Sequence, residues 1–269
     1  VPRFLLECEL AGAGFAGTQA QKAQRTVQQV LAQAVASLDG CDRHVRPASR
    51  LDAGVDAERL PCDVELGRDW EPGELCQALS ARLPEDLVVR RAARVPDAFN
   101  AIGDATGKTY RYRIAVRPIR PVLHRRAWWL RRMDHPDILQ PLADLLPGSR
   151  DLSGFATLRH DGTDGNDPVR RIDQARWELA RDGDDLLLTF TIAGAGFLYR
   201  QVRGLVGAMA CVACGTRTRD DFAAVVAQGK AAPRVGNIAP PEGLCLIAVR
   251  YDPEPAWVPA GGVAPAAPA

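Results

Sequence analysis

Arg3-Phe-Leu-Leu-Glu-Cys-Glu-Leu10, followed by Thr26-Val-Gln-Gln-Val-Leu-Ala-Gln-Ala-Val-Ala-Ser-Leu38, decides the fold class. The first stretch is short and apolar, the length of a strand. The second opens with Thr and places Gln three residues on, the signature of a capping box. Val27, Val30, Leu31 and Ala34 then recur at helical spacing on one face. Working outward, Arg59 to Leu66 reads as a strand, Gly73 to Leu83 as a helix and Asp86 to Val95 as a strand, which makes the first half a β-α-β-α-β mixture. In the second half, strands are expected at Thr109 to Val116, His124 to Leu130, Arg176 to Ala180, Leu186 to Ile192 and Leu244 to Tyr251. Helices are expected from Asp134, where the Asp side chain can cap and Pro141 interrupts, from Leu198 to Cys214, and from Thr218 to Gln228 with Asp221 closing a capping box. The class is α+β with two comparable halves, residues 1–105 and 106–251. Residues 252–269 are mostly Pro, Ala and Gly, too poor in aliphatic bulk to offset the entropy of ordering, and are expected to form a disordered tail.

With 34 Lys and Arg against 33 Asp and Glu, the net charge is +1, so the chain as a whole is no obvious polyanion binder. Distribution matters more than the sum. No acidic residue falls between Lys108 and Arg132, where Lys108, Arg111, Arg113, Arg117, Arg120, Arg125, Arg126, Arg131 and Arg132 are interleaved with Tyr110, Tyr112, Trp128 and Trp129. The strip reads either as a solvated strand face or as an RNA contact in which guanidinium forks grip phosphates and aromatic rings stack on unpaired bases. No run approaches the roughly 20 apolar residues of a membrane span, so a cytoplasmic protein is expected. The seven cysteines are odd in number and scattered through apolar segments, as suits reduced thiols. Cys211-Val-Ala-Cys214 has neither a second pair nor nearby histidines, so it reads as helix packing and no metal is expected.

Two segments carry candidate chemistry. In Ser49-Arg-Leu-Asp-Ala-Gly-Val-Asp-Ala57, Arg50 and Asp52 stand beside a glycine turn. Alone, an Asp in that place can be a turn former as readily as a catalyst. On the helix after Leu198, Val202, Leu205, Val206, Met209 and Ala213 form an apolar stripe, with Arg200, Arg203, Gly204 and Gly207 on another face. A glycine inside a helix costs up to about 1 kcal/mol relative to Ala, so the pair marks close approach, by another backbone or by a ligand.

These segments fall into an ordered set that resembles the TruA family of tRNA pseudouridine synthases along nearly the whole chain, the tail excluded. The blocks are Glu9-Leu-Ala-Gly12, Phe15-Ala-Gly-Thr-Gln19, Thr26-Val-Gln28, Arg50-Leu-Asp-Ala-Gly-Val55, Leu83-Pro-Glu-Asp86, Phe99-Asn-Ala101, Lys108-Thr-Tyr-Arg-Tyr112, Phe197 to Val206, and Ala239-Pro-Pro-Glu-Gly-Leu244. The resemblance implies two ferredoxin-like halves with mixed and antiparallel sheets, a central extended sheet and a basic active-site cleft. It implies isomerisation of uridine to pseudouridine in the anticodon stem-loop of tRNA, without a cofactor, by a homodimer. Asp52 matches the catalytic aspartate, which attacks the target nucleotide or withdraws a proton from its ribose. Tyr110 matches a tyrosine that stacks on the target base and assists proton removal, and Arg203 an arginine that pairs with the aspartate.

Physical chemistry adds reasons of its own. An adjacent guanidinium favours an ionised aspartate, whose unperturbed pKa is near 3.9, so a paired Asp52 is ready as nucleophile or base. A stacked uridine must be flipped out, at a cost of a few kcal/mol, and Arg50 is the candidate for filling the gap. Lys108, Arg111, Tyr112 and Arg200 are the further candidates for contact with tRNA. Four positions depart from the family pattern, which has Trp at Thr18, Thr at Leu51, His at Asp56 and Arg at Ile102. Loss of a ring and a cation and gain of a carboxylate beside the phosphate path point to weaker or altered RNA binding, or to lost activity. A tRNA-binding or RNA-chaperone protein of the same fold is therefore the competing reading. A hydrolase using Asp52 with His44 or His160 lacks the spacing of nucleophile and base.

Overall fold

The computed structural model describes residues 1–122, 126–157, 167–183 and 185–262. Its elements are β1 (Arg3–Leu10), α1 (Val27–Asp39), β2 (Arg46–Pro47), β3 (Asp56–Glu65), α2 (Pro72–Ser80), β4 (Leu87–Val95), β5 (Ala105–Val116) and β6 (Trp128–Leu130). There follow α3 (Leu139–Ala143), β7 (Gly148–Asp151), β8 (Val169–Asp182), β9 (Asp185–Gly194), α4 (Gln201–Ala213), α5 (Arg219–Gln228), β10 (Leu244–Tyr251) and β11 (Val258–Pro259). The class is α+β, as the sequence indicates. The chain divides into two compact units, Val1–Thr106 with the segment from Leu246 onward, and Gly107–Cys245.

In the first unit the strand order is β11-β4-β1-β3-β10, with β2 on the flank of β3. Strand β1 is antiparallel to both β3 and β4, and Phe4, Leu5, Leu6 and Cys8 are fully buried. Burial on both faces accounts for the consecutive apolar residues Phe4, Leu5 and Leu6. Thr26 caps α1 by accepting from the Gln29 N–H, and Gly40, in the left-handed region, ends the helix. Val27, Leu31, Ala34 and Val35 are its buried face; burying a leucine such as Leu31 stabilises by roughly 1.5–3 kcal/mol. Asp63, in β3, accepts from Arg46 Nε at 2.8 Å, from Arg3 Nη1 at 2.6 Å and from the Ala101 N–H at 2.9 Å. That buried carboxylate, with all three donors satisfied, fixes the Phe99–Ala101 block.

Two expectations about the C-terminal part are corrected. Strand β10 groups with the first unit from Leu246 on, although it follows α5 in the chain. Residues 252–262 are ordered: Val258 and Pro259 pair antiparallel with Ala92 and Arg91 of β4. The Trp257 ring lies 4.6 Å from the Arg91 guanidinium, which in turn donates to Glu7 at 2.5 and 2.8 Å. One aromatic ring and two ladder residues hold this stretch despite its poverty in aliphatics. The rest of the expected tail, 263–269, lies outside the described residues.

In the second unit β5, β9, β8 and β7 form an antiparallel series, with the short β6 parallel to β5. Helix α4 packs against this sheet: Trp177 Nε1 donates to Met209 Sδ at 3.4 Å, and the Trp177 ring stacks on Phe190 with centroids 4.8 Å apart. The Thr218 and Asp221 capping box closes in both directions. Asp134 does not cap a helix; it pairs with Arg132 at 2.6 Å, and the chain passes through a 3-10 turn at Pro136–Ile138 into the five residues of α3. The proline at 141 is accommodated because α3 is so short. Of the strand expected from His124, residues His124 and Arg125 lie outside the described residues, and pairing begins at Trp128.

Candidate active site

Asp52 lies in the loop joining β2 to β3. The loop turns where the Val55 N–H donates to the Asp52 carbonyl at 3.2 Å, with Gly54 at φ 81. A left-handed residue at that point favours glycine, so the turn accounts for Gly54. Asp52 is half-buried and Arg50 exposed, whereas Leu51 and Val55 are buried. Arg50 is therefore open to solvent and Asp52 partly so, while the apolar side chains anchor the loop.

A second loop, residues 12–18, lies hard against it. A Cβ added to Gly12 would stand 2.1 Å from the Val55 carbonyl oxygen, and one added to Gly17, at φ 99, would stand 2.7 Å from that of Leu51. Only glycine permits such an approach, which accounts for the Gly12 and Gly17 positions in the first two blocks. The Gly54 N–H donates to the Phe15 carbonyl at 3.3 Å. The outer edge is fastened by Arg25, whose guanidinium grips Asp86 through two bonds of 2.7 Å and donates to the Gly14 carbonyl at 3.0 Å. This ion pair holds the Asp86 carboxyl below its ordinary range.

Two of the departures from the family pattern prove to be internal ties. Thr18 is 2% exposed; its hydroxyl donates to the Ser49 carbonyl at 3.1 Å and accepts from the Leu51 N–H at 2.9 Å. Asp56 is 7% exposed, and its Oδ1 accepts from the Gly12 N–H at 2.7 Å. The expectation that Asp56 sets a negative charge on an open phosphate path is corrected: its carboxylate is turned inward onto backbone. Ile102 is 48% exposed, in a turn whose Asn100 Oδ1 accepts from the Ile102 and Gly103 N–H groups.

The other candidates belong to the second unit. Strand β5 runs beside β9 without a register shift from Lys108 opposite Gly194 to Val116 opposite Leu186. Side chains must therefore alternate strictly. Lys108, Tyr110 and Tyr112 share one face; Arg111 and Arg113 point to the other. The arginines and tyrosines that interleave along β5 thus lie on opposite faces, and only Lys108 shares a face with the rings. Tyr112 is also corrected as a substrate contact. It is fully buried, donates its hydroxyl to the Pro240 carbonyl at 2.7 Å and packs edge-on to Trp128. Burial pushes its phenol well above the ordinary value, Glu242 adds to the rise, and Arg203 opposes it. Arg117, further along the strip, pairs with Asp185 at 3.2 Å.

Tyr110 is 7% exposed and meets Phe197 edge-on, with centroids 5.3 Å apart. Phe197 opens one of the family blocks, Phe197 to Val206, but is not among the site residues expected from the sequence. Arg200, the residue before α4, sits at φ 58, outside the comfortable region for a residue with a side chain, and its guanidinium lies 4.8 Å over the Tyr199 ring. Such strain costs about 1–3 kcal/mol and gathers at functional sites. Arg203 Nε donates to the Ala239 carbonyl at 2.7 Å. The two helix glycines face backbone: a Cβ on Gly204 would be 1.8 Å from the Phe155 oxygen, and one on Gly207 1.8 Å from that of Asn237. Of the two readings the sequence left open, close backbone packing is the one the structure shows.

The structure thus gathers Arg50, Leu51 and Asp52 on one pinned loop. Separately, it gathers Tyr110, Phe197 and Arg203 around the start of α4 in the other unit. Among the described residues no cluster of three or more His, Cys, Asp or Glu could hold a metal ion. No helix among them is long and apolar enough to cross a membrane. His44 is exposed, and His160 lies outside the described residues.

Comparison with known proteins converges on one family. The family described as tRNA pseudouridine synthase matches residues 142–252. A tRNA pseudouridine synthase A of Methylobacterium sp. (strain 4-46) is 39% identical over 259 residues, covering 95% of this chain and 99% of the relative. The protein of that name from Agrobacterium fabrum is 37% identical, with 93% of each chain covered. That from Mesorhizobium japonicum is 36% identical, covering 93% of this chain and all of the relative.

Proposed function

Because the chain belongs to the tRNA pseudouridine synthase A family, it is an isomerase that converts uridine to pseudouridine in tRNA, and we propose that it acts on the anticodon stem-loop with Asp52 as its catalytic carboxylate. The supporting observation is the Asp52 loop itself. Its backbone is tied to residues 12–18 on both sides of the aspartate, while Arg50 is exposed and Asp52 half-buried. A carboxylate that must meet one atom of a flipped nucleotide needs such a rigid mount.

In this reading the uridine leaves the stack and Arg50 takes up the space it vacates. Asp52 opens the reaction, by attack on the nucleotide or by withdrawing a ribose proton, and the detached base turns and rejoins through carbon. Tyr110, held edge-on by Phe197, stacks on the base and assists proton removal. By the family resemblance Arg203, tethered here by Nε to Ala239, is the arginine that pairs with the aspartate. Lys108, Arg111 and Arg200 contact phosphates. Family resemblance adds work as a homodimer in the cytoplasm.

The test is incubation with unmodified tRNA transcripts and site-resolved mapping of the product. Pseudouridine confined to the anticodon arm is expected. Product only in another arm would overturn the proposed target.

A further inference from the structure

A buried hydroxyl has one proton to give and two lone pairs to satisfy. Thr18 uses its hydroxyl on the loop that carries Asp52: it donates to Ser49 and accepts from Leu51, while its own N–H donates to the Leu51 carbonyl at 3.2 Å. All three bonds fall within Ser49–Leu51, so the last tie is on the residue that precedes the aspartate. The Thr18 carbonyl accepts from the Gln28 N–H at 3.0 Å and the Gly17 carbonyl from the Val27 N–H at 3.2 Å. Thr18 is therefore anchored to the first turn of α1 on one side and clasps the loop on the other.

The consequence for chemistry is leverage. The Leu51 carbonyl lies in the peptide that joins Asp52, and the Leu51 N–H in the peptide before it, so rotation about the Leu51 backbone between the two swings the carboxylate. Displacement by about 1 Å can cost two orders of magnitude in rate. The Thr18 N–H holds the peptide that joins Asp52 and the Thr18 hydroxyl the one before it, so with both fixed to one residue the rotation is blocked, and loss of the hydroxyl frees one end of it. The same position carries tryptophan in the family pattern, which has threonine where this chain has Leu51. The clasp thus falls at two positions where this chain departs from that pattern, and Leu51 is 8% exposed beneath it.

We propose that Thr18 is a positioning residue for Asp52, acting through its hydroxyl on the Ser49 carbonyl and the Leu51 N–H. This rests on the reading of Asp52 as the catalytic carboxylate. The experiment compares Thr18→Val, which keeps the shape and removes the hydroxyl, with Thr18→Ser, which keeps the hydroxyl, and runs Asp52→Asn beside them. Single-turnover and steady-state rates on tRNA transcripts are measured together with tRNA affinity.

The expected result is a fall in kcat of about 10- to 100-fold for Thr18→Val, with KM and tRNA Kd close to the native values. Thr18→Ser should recover most of the rate. A native kcat in Thr18→Val beside an inactive Asp52→Asn overturns the positioning role and leaves the catalytic reading intact. Equal loss of kcat in the Val and Ser variants also overturns it, since the hydroxyl would then be irrelevant. An active Asp52→Asn overturns the catalytic reading and this inference with it. Should Thr18→Val not fold, Thr18→Ala at reduced temperature is judged by the same criteria.

Discussion

Arg203 and Ala239 hold each other twice: the Arg203 Nε donates to the Ala239 carbonyl at 2.7 Å, and the Ala239 N–H donates to the Arg203 carbonyl at 3.1 Å. One edge of the guanidinium is thereby fixed by backbone, which sets the direction of its remaining N–H groups. Lysine keeps the charge but has neither an Nε–H nor a planar fork. Arg203→Lys should lower kcat by about 10- to 100-fold, with thermal stability reduced by about 1 kcal/mol for the missing hydrogen bond. Native turnover in this variant would show that charge alone suffices there.

Gly204 and Gly207 pack α4 onto the carbonyls of Phe155 and Asn237, and a Cβ at either place would overlap an oxygen at 1.8 Å. Gly204→Ala and Gly207→Ala should each cost about 1–3 kcal/mol or more, because backbone rather than a flexible side chain must give way. Thermal melts check this. Gly196→Ala, where a Cβ meets nothing within 4 Å, is the control and should melt near the native temperature.

Arg111 and Arg113 project from the face of β5 opposite Tyr110. If that face meets tRNA phosphates, Arg111→Gln with Arg113→Gln should reduce the slope of log Kd against log salt by about 0.7–0.9 for each phosphate no longer neutralised, because fewer counterions are released. An unchanged slope would place the RNA path elsewhere.

Features governed by near neighbours in sequence were legible in advance. The Thr26 cap, the Thr218 and Asp221 box, the span of β10 and the glycine turn after Asp52 all follow from chemistry within a few residues. What escaped depended on long-range partners. Tyr112 looked like an RNA-stacking ring until β5 alternation turned it toward Pro240, 128 positions away. Thr18 and Asp56 looked like damaged RNA contacts; their bonds to residues 33 and 44 positions distant make them ties. Trp257 ordered a stretch whose composition argued for disorder, because Arg91 was there to receive it. The identity of Asp52 as a candidate needed the ordered blocks, since its own turn is equally suited to a structural aspartate.

The most direct measurement of the central claim is pseudouridine formation by Asp52→Asn, with tRNA affinity measured on the same preparation. Asparagine preserves size and removes the charge. The account predicts that product formation disappears while Kd stays within about threefold of the native value, since the phosphate contacts that dominate affinity are untouched. Pseudouridine formed at the native rate by this variant would contradict it.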